Sequence, residues 1–465
     1  MDGFASIISS VNDAVASFVW GPVMLLIFLI VGLYFTVKTG FFQISKLKLW
    51  FDSTFLALFK KPDIYKNNGN GEISQMGAIS TALAATIGTG SVVGVATALT
   101  LGGAGSIFWM WVSSFFGMMT AYAENVLGIK YRYKNEKGEW IGGAMVYIEK
   151  GVKMKWLACL FSVFCIFSSL GIGNMTQANS IAYAVRDISG ISAKTTAIFL
   201  CVIVGIIVIG GIKRISSFTG KLVPVIAVFY TVGCIIVICG NIKNIPAVFG
   251  SIFSGAFNLR SAGGGILASV MLRSMRFGIS RGVFSNEAGL GTSVTVHCAS
   301  DIKEPAEQGM WSIFEVFIDT MVVCTLTALC ILSSGCDLSG LDSVQICSAA
   351  FSSVLGNFGY YFVSISIILF SFATLMSGSY LGEKSVEYLF GGSFSKYYRV
   401  IYIGAIFVGC CADLELVWQI SDTFNGLLAI PNLFSIAVLS PEVFKITDEY
   451  LEKIKLKKSE KLMLC

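Results

Sequence analysis

The sequence predicts an all-α polytopic membrane protein with about 11 transmembrane helices, and three observations carry that prediction. The first is composition: 55% of the 465 residues are hydrophobic and 13% are charged, with a mean hydropathy of +0.76. A soluble domain carries roughly 25% charged residues, enough to coat a water-facing surface. The second is segregation. Residues 20–37, 75–122, 197–212 and 222–241 contain no charge at all. Blocks of roughly 18 or more such residues are long enough to cross a bilayer as helices. The third is the placement of the basic residues, which collect in the short connections between apolar blocks.

In chain order the expected spans are 18–37, 76–101, 107–128, 156–183, 195–212, 222–240, 264–297, 309–332, 354–381, 400–411 and 416–439. Most are ordinary Leu/Ile/Val/Phe helices. Twenty-six of the 33 Lys and Arg fall on one side of this arrangement, among them Lys38 to Lys66, Lys130 to Lys155, Lys213, Arg214, Lys384, Arg399 and the tail from Lys445. The positive side faces the cytoplasm. The N-terminus is therefore expected outside and the C-terminus inside a plasma membrane, which requires an odd number of spans. The expected divisions are an outside segment 1–17, an accessory helix 18–37 and a first five-helix unit 76–240. A linker 241–262, a second unit 264–440 and a basic cytoplasmic tail 441–465 complete the chain. Within the linker, Asn244–Phe257 reads equally as an interfacial helix or a plain connection. Met1–Ser17 is acidic and lacks Lys and Arg, so it does not read as a cleaved signal.

The net charge of +5 does not call for nucleic acid, because the basic residues track the loops. The 13 cysteines are scattered, with no CxxC and no Cys/His cluster, and read as small apolar residues. With one histidine and no HExxH, GxSxG or GKS/T run, no hydrolase or nucleotide site is expected, and no cofactor. A channel filter such as TVGYG is also missing.

Two spans are not ordinary. The second reads TALAATIGTGSVVGVATAL, with Gly88, Gly90 and Gly94 at its centre. The seventh reads RFGISRGVFSNEAGLGTSV, with Gly278, Gly282, Gly289 and Gly291 beside Ser285, Asn286 and Glu287. Glycine tolerates unwound backbone. Unwinding frees N–H and C=O groups that lipid cannot satisfy, so a ligand is one natural partner. A half-helix N-terminus suits a carboxylate, and freed carbonyls suit a small cation. Each five-helix unit opens with one such segment. Five is odd, so the second unit runs inverted. Isolated glycines such as Gly117 and Gly205 read instead as close packing contacts.

At these residues the sequence resembles the alanine or glycine:cation symporter family. The matching stretches are ALAATIGTGSVVGVATAL, AENVLGIKYR, GGAMVYIEKG, GIGNMTQANSIA, RGVFSNEAGLGT and WQISDTFNGLLAIPN. The resemblance implies the leucine-transporter-like 5+5 inverted repeat, here preceded by one extra N-terminal helix. It implies symport of a small neutral amino acid, alanine or glycine, with sodium as coupling ion or with a proton. Thr89 and Gly90 look like carboxylate contacts, Gln177 like a polar contact, Tyr183 like an aromatic wall and Asn286 like a further contact. For sodium the resemblance points to Ser371 and Thr374, one helical turn apart, with carbonyls of Ala84, Ala85 and Ile87. Either hydroxyl is equally able to bond its own helix. The chain departs from the family at Ser91, where Asn is usual, and at Ser377–Gly378, where relatives often carry Trp. That second loss makes room for a larger substrate such as glutamine or serine.

Four further groups carry expectations. Glu124 is expected in a surface or gate ion pair near Lys130 and Arg132. Glu315 and Asp319, four apart in one span, are expected to pair with arginine from elsewhere rather than to relay protons. Asp422 is expected to serve packing or gating, and His297 to lie solvated or interfacial at a span end.

Overall fold

A computed structural model describes residues 2–66, 73–136, 138–257, 264–412 and 415–463. Lys137 and Arg260, both used in the orientation count, lie outside the described residues. Among the described residues, five helices are long and apolar enough to cross a membrane: Ile7–Lys38, Lys155–Ser189, Gly211–Gly240, Pro305–Ser334 and Asn357–Phe390. A sixth forms if Leu416–Val438 and Ser440–Lys457, bent by 60°, count as one. Outward helix faces are apolar: Val225, Val228, Val232 and Ile235 are exposed on the span Gly211–Gly240, and Ile198, Phe199, Val202 and Ile206 on the shorter helix Ala193–Val208. A contiguous apolar face of this size suits lipid, not water.

Two elements, the helices at residues 2–19 and 343–355, differ from the expected order, and a third, at 245–257, takes the helical one of its two readings. Residues 2–19 form a helix that runs into the first span through Trp20 and Gly21, where Pro22 opens the next helix. Ile245–Phe257 is a helix, packed on Gly105–Tyr131 through ring contacts such as Phe108–Phe257. Ser343–Leu355 is a helix that the span count passes over. Its start carries a capping box: the Asp342 carboxylate accepts from the amides of Val344 and Gln345, and the Gln345 side chain accepts from the Asp342 amide.

The expected breaks are present. The second span divides into Gln75–Thr86, a single 3₁₀ turn at Thr89–Ser91 and Val93–Gly102. The seventh divides into Gly264–Asn286 and Ser293–His297. Lys155–Ser189 is continuous but widens into a π-turn at Gly171–Met175, and Pro305–Ser334 does so at Phe317–Cys324. Such turns concentrate at functional sites.

The ends of the two broken segments are tied together. The amide of Ile73 donates to Ala299 O at 3.2 Å and that of Asp301 to Ile73 O at 3.0 Å. Arg132 clamps the same loop, donating from Nη1 to the carbonyls of Cys298 and Ser300 at 2.7 and 2.6 Å. Higher up, Gly264–Asn286 lies so close to Gly105–Tyr131 that a Cβ on Gly278 would stand 2.2 Å from Ser106 O and 2.8 Å from Trp109 Cβ. Gly94, by contrast, has open space where a Cβ would go. Gly278→Ala is therefore expected to destabilise the protein by about 1–3 kcal/mol through overpacking. Gly94→Ala should leave stability unchanged or slightly higher. Thermal unfolding of the two variants in detergent checks the contrast.

Candidate functional site

At the first break the α-helical ladder stops with Ile87 N bonding Leu83 O and resumes with Ala96 N bonding Val92 O. Between them run a tight bond from Gly88 N to Thr86 O at 2.9 Å and the long 3.3 Å bonds Ser91 N to Gly88 O and Val92 N to Thr89 O. The second break is made by three left-handed residues, Glu287 (φ 56°), Gly289 (φ 92°) and Gly291 (φ 73°). Glycine enters this region freely, but a glutamate there is held by its surroundings. The Glu287 carboxylate accepts from the Thr292 hydroxyl across the turn.

Both breaks open onto one small cavity of about 40 Å³, room for a few waters. Thr89 and Gly90 from the first break line it, as do Phe284, Glu287 and Thr292 from the second. The π-turn helix adds Ile172, Gly173 and Gln177, and the helix Asn357–Phe390 adds Thr374 and Gly378. Gln177 is buried; its amide donates to Thr89 Oγ1 at 3.2 Å and to Ile172 O at 3.1 Å. The carbonyl of Ile172, in the π-turn, also accepts from the Thr176 hydroxyl at 2.8 Å. Three of the five residues expected at the substrate thus meet: Thr89, Gly90 and Gln177.

The other two do not. Tyr183 is exposed, faces a separate groove with Asn179 and Arg186, and has the Arg186 guanidinium 5.5 Å over its ring. Six residues advance an α-helix by one and two-thirds turns, so Tyr183 falls off the face that carries Gln177. Asn286 is buried but committed to the break itself: its amide donates to Thr320 Oγ1 and its oxygen accepts from Ala288 N, both at 3.0 Å.

The residues expected around sodium converge in part. Thr374 Oγ1 lies 2.9 Å from Ala84 O and 3.1 Å from Phe370 O, so it both touches the first broken helix and bonds its own. A Cβ on Gly88 would stand 2.7 Å from that hydroxyl, which explains the glycine. The Ser371 hydroxyl, one turn away, is fully buried and bonds nothing among the described residues. An orphaned buried hydroxyl is costly unless something accepts it. Ala85 lines the cavity and Ile87 caps the helix end. An all-oxygen set of this kind fits a small hard cation.

Several buried charges stand where the sequence reading did not put them. Glu124 is buried, not at the surface; Asn432 Nδ2 donates to it and to Gly289 O at 2.9 Å, while the Tyr147 hydroxyl donates to Asn432 Oδ1. His297 is fully buried, with Nε2 2.8 Å from Glu315 Oε2 and Nδ1 against the Gln308 amide. Glu315 therefore pairs with histidine rather than arginine. Asp319 pairs with no cation among the described residues; it accepts from Ser91 Oγ at 2.6 Å, Ser285 Oγ at 3.0 Å and Thr320 Oγ1 at 2.9 Å. Arg281 bonds Asp422 instead, at 3.2 Å, with its guanidinium over the ring of the cavity residue Phe284. The described cysteines are all unpaired, as expected from their scatter.

Residues 5–463 match the profile of the sodium:alanine symporter family. The chain belongs to that family. As a sodium:alanine symporter family member it is an integral membrane protein built for cation-coupled amino-acid symport, and its coupling ion is sodium. The sodium/alanine symporter AgcS of Methanococcus maripaludis is 41% identical over 457 residues, covering 97% of this chain and 98% of that protein. The probable sodium/glutamine symporter GlnT of Bacillus subtilis is 33% identical over 438 residues, covering 94% and 89%. The crystal structure of an Eremococcus coleocola manganese transporter bearing a bis-isothiourea compound shares the fold, with a TM-score of 0.51 at 13% identity over 83% of this chain and 78% of that one.

Asn432 holds the second break of the symporter against Glu124, so Asn432→Ala removes the side-chain donor to a buried carboxylate that also bonds the backbone of Gly289 and Gly291. The expected loss is about 1–3 kcal/mol of stability. Unfolding followed in detergent is the check, with Asn432→Asp separating loss of the side chain from loss of its amide donor.

Proposed function

We propose that this chain imports a small neutral amino acid, alanine or glycine, together with sodium by alternating access. The observation that carries the reading is the shared cavity: both interrupted helices end on it, and Gln177 bonds Thr89 at its wall. The substrate carboxylate sits against the amides at Thr89–Gly90, which open the helix Val93–Gly102, where the helix dipole favours an anion. Gln177 fixes it from the side. Sodium lies beside it, between the carbonyls at Ala84–Ile87 and the hydroxyls of Ser371 and Thr374. Ion and carboxylate then share the unwound backbone, so each raises the affinity of the other.

The eleven-span, 5+5 inverted architecture belongs to the same proposal. In its support, the units 76–240 and 264–440 follow one order of lengths. The third helix of each is long, Lys155–Ser189 and Asn357–Phe390. The fourth is short, Ala193–Val208 with 16 residues and Ser395–Cys411 with 17. The accessory helix 18–37 precedes them, 241–262 links them and the basic tail 441–465 follows. The excess of Lys and Arg on one side supports an outside N-terminus and a cytoplasmic C-terminus in the plasma membrane.

A larger neutral substrate, glutamine or serine, is the second reading. Gly378 lines the cavity, and polar groups stand beside it: Ser168 Oγ donates to Asn425 Oδ1 at 3.0 Å, and both residues face the space.

In proteoliposomes, labelled alanine should accumulate only under an inward sodium gradient, and a competition panel ranks glycine, serine and glutamine against it. Accumulation without an ion gradient removes the symport reading. Gln177→Ala should weaken substrate binding by about 1–3 kcal/mol, and unchanged affinity moves the pocket elsewhere. Thr374→Ala should raise the sodium concentration for half-maximal uptake; an unaltered requirement discards that ligand.

A further inference from the structure

Trp20 sits at the joint between the first helix, Asp2–Val19, and the accessory span, ahead of both five-helix units. This joint is seated on the helix Glu415–Leu427. Val19 is 0% and Trp20 6% exposed. The Trp20 indole donates from Nε1 to the carbonyl of Asp422 at 3.2 Å. One turn further along, a Cβ on Gly426 would stand 2.2 Å from Val19 Cγ1 and 2.9 Å from Trp20 Cε2, so the two segments meet where only glycine fits. A tryptophan that anchors a helix end among lipid headgroups exposes its ring to lipid and turns its N–H to the wet side. Trp20 instead buries its ring and gives its N–H to the backbone of another helix.

The helix that Trp20 holds carries two groups at the cavity. Asp422 pairs with Arg281, and Asn425 lines the space and accepts from Ser168 Oγ. The same helix presses on the π-turn span: a Cβ on Gly171 would stand 1.8 Å from Ser421 Oγ. It is thus wedged between Gly171 and Trp20. The Arg281–Asp422 pair is made by a single bond, from Nη2 to Oδ2 at 3.2 Å. Arg281 Nε and Asp422 Oδ1 are buried and bond nothing among the described residues. A guanidinium and a carboxylate can share two parallel bonds, so this pair is one bond short of its strongest form. Where the helix stands decides whether the second bond forms.

We propose that Trp20 is a positioning residue for transport: through the carbonyl of Asp422 it sets where the helix Glu415–Leu427 stands, and so how the layer over the cavity closes on the substrate. The accessory helix is then a fixed post against which that layer works. With the indole bond in place, Asp422 and Asn425 are held near their partners, and a small approach completes the Arg281–Asp422 pair over a bound amino acid. Without it, the layer opens more readily and closes less tightly. Neither Trp20 nor Val19 lines the cavity, so the effect runs through the helix between them. The inference rests on the alternating-access reading above, with the N-terminus outside, and gives a role to the helix that stands outside the repeats.

Trp20→Phe keeps a ring against Gly426 and removes the N–H. In proteoliposomes its KM for substrate should rise about fivefold, the scale of one lost hydrogen bond, while the maximal rate holds. The second readout is Cys165, which lines the cavity. In right-side-out vesicles a membrane-impermeant thiol reagent is added outside, and labelling of Cys165 is read on its own peptide by mass spectrometry. Sodium and alanine together should slow that labelling in the native protein, and slow it less in Trp20→Phe. Val19→Ala loosens the packing on Gly426 but keeps the indole bond; it should lower the unfolding temperature and leave KM and the protection of Cys165 as in the native protein. Native KM and native protection in Trp20→Phe overturn the proposal, even if that variant unfolds earlier. So does a Val19→Ala protein that shifts both readouts as far as Trp20→Phe, since general loosening then accounts for them. If the native protein itself shows neither sodium-driven accumulation nor protection of Cys165, it is the alternating-access reading that fails.

Discussion

Main chain that leaves the helical ladder inside a bilayer must find partners in the protein or its ligands, because hydrocarbon offers none. This chain leaves the ladder twice, at Thr86–Val93 and at Asn286–Ser293, and much of the interior is arranged around those two places. Asn432 takes the carbonyl of Gly289, Asn286 takes the amide of Ala288, and Thr374 takes the carbonyl of Ala84. Thr327 takes the carbonyl of Ser91 at 2.9 Å. The two breaks face a common cavity, where, on the proposed reading, a zwitterion and a cation complete the set. The same groups that would make an empty site costly make a filled one tight.

The surrounding layers follow from that need. On one side of the cavity, Phe284 and the half-buried Arg281–Asp422 pair stand over it. On the other, the Ile73–Ala299 bonds, the Arg132 clamp and the Glu124–Asn432–Tyr147 chain close a much thicker layer. A carrier that works by alternating access has to break one such layer at a time. The thick side joins the far ends of both broken segments, so opening it must move them relative to each other.

The sequence made the helices and the two breaks legible, because hydrophobic length and glycine clusters with polar neighbours are one-dimensional signals. Thr89, Gly90, Gln177 and Thr374, which line one cavity, lie in or near those motifs. Tyr183 was misplaced because its motif position says nothing of helix phase; the 100° turn per residue carries it to the outer face. The π-turns at Gly171–Met175 and Phe317–Cys324 were invisible, since a single extra residue in a turn changes hydrogen bonding without changing composition. The partners of His297, Glu315 and Asp319 were likewise out of reach. A buried acid is readable from sequence as a cost, but its partner is set by tertiary packing. The helix Ser343–Leu355 did carry a signal, the DSVQ capping box, which length-based span counting passed over.

Symport as proposed requires the ligand to bind at the two breaks. A solved structure of the protein with amino acid and sodium bound tests this most directly. It should place the substrate carboxylate against the backbone amides at Thr89–Gly90, with the amino acid lying between the first break and the Glu287–Gly291 turn. An amino acid seated elsewhere, with both breaks closed by protein groups alone, would contradict it.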